Sequence, residues 1–204
     1  ASAKIKNIKE KYYKGRKPGG IYIPRFRNIG GNSDSKDFIR GYGYQGGAYR
    51  TSMSEVVAEL KYGPELKEAI LKPGGWRIGV TGFGETLPDH NNKMYLDYDK
   101  LDEWGLPTVT FDADFGENEL AMRKDMKDQA VKMFKSAGYK DVVGYDSIDS
   151  RAMGLGIHEM GTARMGHDPK TSVLNKYNQI HACKNVFVTD GSFMTSSACQ
   201  NPSL

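Results

Sequence analysis

The chain has 204 residues, 38% of them hydrophobic and 26% charged, with a formal net charge of +4. That length suits one domain, or one domain and part of another, and no apolar run approaches the roughly 20 residues that span a bilayer, so no membrane span is expected. Cys183 and Cys199 stand outside any CxxC pair, which excludes a disulfide framework and leaves the compartment of a soluble protein, cytoplasmic or periplasmic, undecided.

Taken in order, residues 1–18 are basic. Seven Lys and Arg side chains against Glu10 put +6 on positions 1–17, which leaves −2 for the remainder. With no helix-turn-helix or finger spacing in the chain, this run reads as a solvated linker or short helix and not as a nucleic-acid arm. Its first residues, Ala-Ser-Ala-Lys-Ile-Lys, are charged where a signal peptide is apolar, so an export signal is absent or already removed. Ile21 to Phe26 is a strand by its β-branched and aromatic content, with Pro24 placing it at an edge or ending it early. A Gly, Asn and Ser-rich loop follows over 28–36. A second strand is expected near Tyr42–Arg50 and a helix from about Ser54, with Val56, Val57, Leu60 and Tyr62 on its apolar side.

Trp76–Phe83 alternates as a strand does, and Lys93–Tyr98 and Pro107–Asp112 form two more strands around a turn at Gly105. The clearest helix runs from about Glu117 to Ala137. Met122, Met126, Ala130, Met133, Phe134 and Ala137 recur at helical spacing, which makes the Met stripe core packing. Asp114 is placed to cap its start and Gly138 to end it. From Leu155 the chain turns to short apolar runs among Gly, Thr and Ser, and Asn185–Asp190 reads as a buried strand ending in an acid. Strands, helices and more strands without regular βαβ alternation predict an α+β fold, with a mixed, mainly antiparallel sheet and flanking helices. Asn201-Pro202 is a helix start signal, yet the chain stops at Leu204; truncation is the expectation.

Gly41-Tyr42-Gly43-Tyr44-Gln45-Gly46 matches the GxGxxG dinucleotide fingerprint. That mechanism needs an apolar strand before the glycines and a helix opening on the last of them. Polar residues 33–37 precede this run and Gly47-Ala48-Tyr49-Arg50 continues as strand, so it is an aromatic strand softened by glycine. No Rossmann-type nucleotide-binding motif is therefore visible in the chain.

The four histidines, His90, His158, His167 and His181, form no HExxH or Cys/His ligand pattern, so no metal site is expected. His158 stands apart because small residues on both sides let another surface approach it. The run His158-Glu159-Met160-Gly161-Thr162-Ala163-Arg164-Met165-Gly166-His167-Asp168-Pro169 resembles the C-terminal signature of the glucose-methanol-choline (GMC) oxidoreductase family, H-x-M-G-T-x-R-M-G-x-D-P. The likeness continues through Ser172–Asn175, Asn185–Ser192, Thr195–Ser197 and Asn201-Pro202, and upstream through Gly84–Asp97 and Asp102–Pro107.

The resemblance implies a substrate-binding domain over 19–154 and a C-terminal catalytic and flavin-closing segment over 155–204. It implies His158 and Asn201 as the catalytic pair, since the family's second catalytic position lies 11 residues after Asp190. A neutral imidazole accepts a hydroxyl proton near neutral pH; an amide does not titrate, and orients the alcohol oxygen instead. Asp190, Gly191, Asn201 and Pro202 are the implied cofactor-binding residues, whereas Arg164 and Asp168 read as a structural turn and His167 and His181 as surface or turn residues.

The implied function is the C-terminal part of an FAD-dependent oxidoreductase acting on an alcohol or sugar. Its partners would be that small molecule, the missing N-terminal FAD-binding half and an electron-acceptor subunit. This fragment alone is expected to be inactive and not to retain FAD; stoichiometric flavin copurifying with it would overturn that. The alternative is a noncatalytic carbohydrate- or partner-binding domain, with Tyr42, Tyr44, Tyr49, Trp76 and Trp104 stacking on sugars.

Overall fold

A computed structural model of the chain describes residues 1–6, 20–50, 63–71 and 75–201. In chain order these give β1 (Ser2–Ile5), β2 (Ile21–Ile23), β3 (Tyr42–Arg50), α1 (Pro64–Leu71), β4 (Trp76–Gly84), β5 (Lys93–Leu101), β6 (Pro107–Asp112), α2 (Glu117–Ser136), β7 (Lys140–Val143), β8 (Gln179–Ile180) and β9 (Cys183–Phe187). The main sheet has the order β2-β3-β4-β1-β7, and its neighbouring strands pair antiparallel. Two hairpins, β5-β6 and β8-β9, stand beside it. The fold is α+β and mainly antiparallel; Met165 and Leu174 make an isolated parallel bridge.

β2 lies at the sheet edge and stops at Ile23, because Pro24 has no N–H to continue the ladder. Ser2–Ile5, expected as part of a linker or short helix, instead form β1 between β4 and β7. Alternation puts Ala3, itself 2% exposed, on the core side, and that burial outweighs the charge pattern that suggested a linker. Residues 7–19 and the helix expected from Ser54 lie outside the described residues.

One face of the main sheet holds the core. Tyr42 and Tyr44 of β3, Ile78 and Val80 of β4 and Ala3 of β1 are buried with Met122, Ala130 and Phe134 of α2. Residues two apart on a strand share a face, so Gly82 and Gly84 continue the row of Ile78 and Val80 toward α2. A Cβ on Gly82 would lie 2.8 Å from Met126 Sδ, and one on Gly84 2.6 Å from Met122 Sδ. The glycines are the seats of the Met stripe, which is core as its spacing predicts.

Polar ties fix the same interface. Tyr42 donates its hydroxyl to Asp125 at 2.5 Å, Arg27 makes a two-pronged pair with that carboxylate at 2.8 and 3.0 Å, and Tyr44 donates to the Met126 carbonyl at 2.6 Å.

The ends of α2 are locally determined. Gly138, at φ 78°, closes a Schellman turn: its N–H bonds Lys135 O and that of Tyr139 bonds Phe134 O, with the Tyr139 and Phe134 rings 5.7 Å apart. At the other end the cap is Gly116 and not Asp114. Asp114 is engaged through its backbone with the Asn92 side chain, while Glu119 reaches back to the Gly116 N–H at 3.0 Å. The other oxygen of Glu119 accepts from Leu87 N–H at 3.0 Å, so this buried carboxylate also holds the stretch after β4 against the helix.

The glycines of the GxGxxG run serve close packing. A Cβ on Gly41 would lie 2.5 Å from Arg27 O, on Gly43 2.8 Å from Ile23 O, and on Gly46 2.0 Å from Gly79 O. No helix opens on the last of them; β3 continues to Arg50. The strand expected at Asn185–Asp190 needs correction: β9 spans Cys183–Phe187 and is exposed along its length. Val186 and Phe187 are 39% and 56% exposed, with no layer over them among the described residues.

Candidate functional site

His158 sits in a stretch without regular structure that begins after the short 3-10 turn Asp149–Arg151. The backbone enters left-handed conformations at Gly154, Ile157 and Gly161. Ile157 has φ 57° and is 86% exposed. A β-branched residue in that region is strained, and it lies immediately before the histidine. The stretch is stitched to a second 3-10 turn, Gly191–Phe193: Ala163 N–H bonds Ser192 O and Met165 N–H bonds Phe193 O, both at 3.0 Å.

Asp190 caps that turn, accepting from the Ser192 N–H at 2.9 Å and from the Ser192 hydroxyl. The hydroxyl first and the N–H second hold its carboxyl below the ordinary aspartate value. Both bonds use one carboxylate oxygen, so the other accepts none among the described residues. Gly191 abuts the 158 stretch directly; a Cβ there would lie 3.4 Å from Glu159 O.

From the turn the chain runs back across the main sheet. Ser197 N–H donates to Glu85 at 3.0 Å, and the Cys199 thiol donates to Gly41 O at 3.5 Å. Burial pushes that thiol above its usual pKa. The run delivers Asn201 to the histidine: His158 Nε2 and Asn201 Oδ1 are 3.1 Å apart across 43 positions of sequence. His158 lines a cleft of about 980 Å³ between α2, the stretch after β4 and the 145–162 segment, with His90, Arg123, Met160 and Gln200 also in its wall. Asn201 is exposed next to Gln200.

The structure thus brings together two of the five residues singled out by sequence, His158 and Asn201. Asp190 and Gly191 do not line the cleft; Gly191 stands against the backbone of the histidine stretch, Asp190 caps the turn that begins there, and Pro202 lies outside the described residues. Asp168 is the turn residue expected of it, accepting from Lys170 N–H, and its carbonyl accepts from Ser172. His181 is tied to the Ser172 hydroxyl at 3.1 Å. Tyr42 and Tyr44 are unavailable for sugar stacking, being 0% and 2% exposed; Trp76 is half-buried, and Tyr49 and Trp104 are exposed. Among the described residues no group of three or more His, Cys, Asp or Glu side chains could hold a metal ion, and no helix is long and apolar enough to cross a membrane.

Two participants were not singled out. Glu85 lies inside a block that carried the resemblance but had no assigned role. Arg123 is one of the charged residues between the apolar positions of α2. Its guanidinium holds Asp146 at 2.6 Å, Ser147 O at 3.3 Å and Arg151 O at 3.0 Å, and lies 4.8 Å from the centre of the Phe115 ring. It fastens the segment leading to His158 onto α2, with its Nε buried and without a hydrogen-bond partner among the described residues. No spacing in the sequence marks either role, because both partners lie in irregular chain.

Comparison with known proteins gives one family. A family model described as GMC oxidoreductase matches residues 88–204. The chain is 30% identical over 200 residues to a 2-methyl-1,2-propanediol dehydrogenase of Mycolicibacterium austroafricanum, a match covering 93% of this chain and 34% of the relative. It is 32% identical to a 6'''-hydroxyparomomycin C oxidase of Streptomyces lividus, over 57% of this chain and 21% of that protein. It is 27% identical to a fructose dehydrogenase large subunit of Gluconobacter japonicus, over 70% of this chain and 25% of that protein. The chain spans about a third or less of the length of these relatives.

Proposed function

The chain belongs to the GMC oxidoreductase family, and on that premise we propose that it is the C-terminal part of an FAD-dependent enzyme oxidising an alcohol or sugar hydroxyl, with His158 and Asn201 as the catalytic pair. Residues 19–154 would form the substrate-binding domain and 155–204 the catalytic and flavin-closing segment. The observation that carries the reading is the 3.1 Å contact between His158 Nε2 and Asn201 Oδ1 beside the cleft.

Two side-chain groups that close can share one substrate oxygen. With the proton on Nδ1 and the amide turned to present Nδ2, the same heavy-atom positions leave the Nε2 lone pair as acceptor. A substrate hydroxyl replaces the amide as donor to Nε2, and the amide donates to the hydroxyl oxygen. His158 takes the hydroxyl proton, a role worth roughly 10²–10⁴-fold in rate. Asn201 stabilises the negative charge growing on the oxygen, for which one aimed donor contributes about 2.7–4 kcal/mol.

Flavin, when bound, would supply the acceptor for the hydrogen on the same carbon, taken as hydride. Asp190 would suit such a group: its second carboxylate oxygen, which accepts no bond among the described residues, is exposed and matches the hydroxyls of a ribityl chain. The names of the relatives, a 2-methyl-1,2-propanediol dehydrogenase, a 6'''-hydroxyparomomycin C oxidase and a fructose dehydrogenase large subunit, support a hydroxylated substrate for this chain, and a separate subunit would be one acceptor for the electrons.

The test is turnover by the FAD-loaded full-length enzyme with His158→Ala or Asn201→Ala, the fold monitored by circular dichroism. Loss of turnover in a folded protein is the expected outcome for each. Unchanged turnover in both would remove the catalytic pair and leave a domain that binds carbohydrate or a partner through exposed side chains such as Trp104 and Tyr49.

A further inference from the structure

Asn201 reaches His158 from residues 194–201, a run without helix or strand. Backbone of that kind has no ladder to fix its position, so whatever binds its N–H groups decides where its side chains fall. Among the described residues, Glu85 is the side chain that binds the backbone of this run to the main sheet. One of its oxygens accepts from Ser197 N–H at 3.0 Å, and the other pairs with Arg40 Nε at 3.3 Å. The Glu85 side chain is 11% exposed. A carboxylate that far from water needs both partners, and bonds to a charged acceptor are the stronger kind.

The other end of this relay is also built. Arg40 is a non-glycine residue at φ 68°. Asn28, itself at φ 54°, donates its side-chain amide to Arg40 O at 2.6 Å and to Phe38 O at 2.9 Å, and accepts from Ser35 N–H at 2.6 Å. These bonds hold the strained turn that points Arg40 at Glu85. On the far side of Ser197, Cys199 rests against β3, where a Cβ on Gly43 would lie 3.4 Å from Cys199 Cβ.

We infer that Glu85 is a positioning residue for the catalytic pair. Through Ser197 it sets the place of Asn201 against His158, and Arg40, held by Asn28, sets the direction of Glu85. The inference rests on the proposed roles of His158 and Asn201. Glu85 has no contact with the reacting atoms in this account. Its effect passes through Asn201 alone.

The experiment is a double-mutant cycle in the FAD-loaded full-length enzyme, joining Glu85→Ala to Asn201→Ala. A misplacement of about 1 Å in a reacting group costs on the order of 10²-fold, so Glu85→Ala is expected to lower kcat about ten- to hundredfold with KM nearly unchanged. Glu85→Gln keeps an oxygen for Ser197 N–H and is expected to restore most of that loss. In the Asn201→Ala background, Glu85→Ala is expected to have no further effect on kcat, since residues acting through one another are not additive.

Full additivity in the cycle, or wild-type kcat for Glu85→Ala, would overturn the inference while leaving the pair in place. Wild-type turnover by Asn201→Ala would overturn the pair and the inference together. If Glu85→Ala does not fold, Ser197→Pro removes the donated N–H and leaves the Glu85–Arg40 ion pair. The same epistasis with Asn201→Ala is then expected, and additivity again overturns the inference.

Discussion

Asp125 carries much of the contact between α2 and the sheet. Its side chain is 22% exposed and it faces Arg27, Tyr42 and Gln129. Burial alone would raise its pKa, but the hydrogen bonds from Arg27, Tyr42 and Gln129 together hold it below the aspartate value. A depressed carboxyl contributes stability above its unfolded pKa, and that contribution disappears as pH falls through the folded one. Asp125→Asn is therefore expected to cost about 1.5–3 kcal/mol at neutral pH, the range for a hydrogen bond to a charged group, as measured by urea unfolding. The difference between variant and wild type should shrink below about pH 4, where aspartate protonates in the unfolded chain. A cost that stayed constant into acid would contradict the ion-pair assignment.

Tyr44 works in the opposite sense. Burial raises its phenol from 10.0 to about 12, so its contribution is present below pH 10 and is lost as pH rises toward 12. Tyr44→Phe should lack this alkaline loss. Both tyrosines were legible in the sequence as strand aromatics. Their hydroxyl partners were not, because Asp125 and the Met126 carbonyl sit more than 80 positions away.

At the scale of elements, β4 and α2 fit because glycine faces methionine. Gly82→Val would put a Cβ 2.8 Å from Met126 Sδ and 3.3 Å from Met126 Cβ. Overpacking of this kind costs about 1–3 kcal/mol, read as a lowered Tm. Joining it to Met126→Ala should recover part of the loss, since the two side chains compete for one space. Additive destabilisation would place the clash elsewhere.

The main strands and α2 were readable from period-2 and period-3.6 patterns, and the helix end from Gly138. Three local readings failed for identifiable reasons. Asp114 has the chemistry of a cap, but its backbone is engaged by Asn92. β1 hides an alternating apolar pair, Ala3 and Ile5, among lysines. The run Asn185–Asp190 is as apolar as a buried strand, yet burial is a property of what lies opposite, and composition carries no record of that.

Across the whole molecule, the site depends on three docked pieces of irregular chain. The 145–151 segment is held by Arg123, the histidine stretch by the 191–193 turn, and the Asn201 run by Glu85 and Gly41. The residue types at positions 158 and 201 could be read from the family signature and its spacing. The anchors could not, since a carboxylate meeting a backbone N–H leaves no periodic trace. The central claim, that His158 takes the substrate's hydroxyl proton, is tested most directly by the rate at which an alcohol or sugar substrate reduces bound flavin, without oxygen, in the His158→Ala full-length enzyme. The account predicts a fall of roughly 10²–10⁴-fold, partly restored by added imidazole. A rate within about threefold of wild type, indifferent to imidazole, would contradict it.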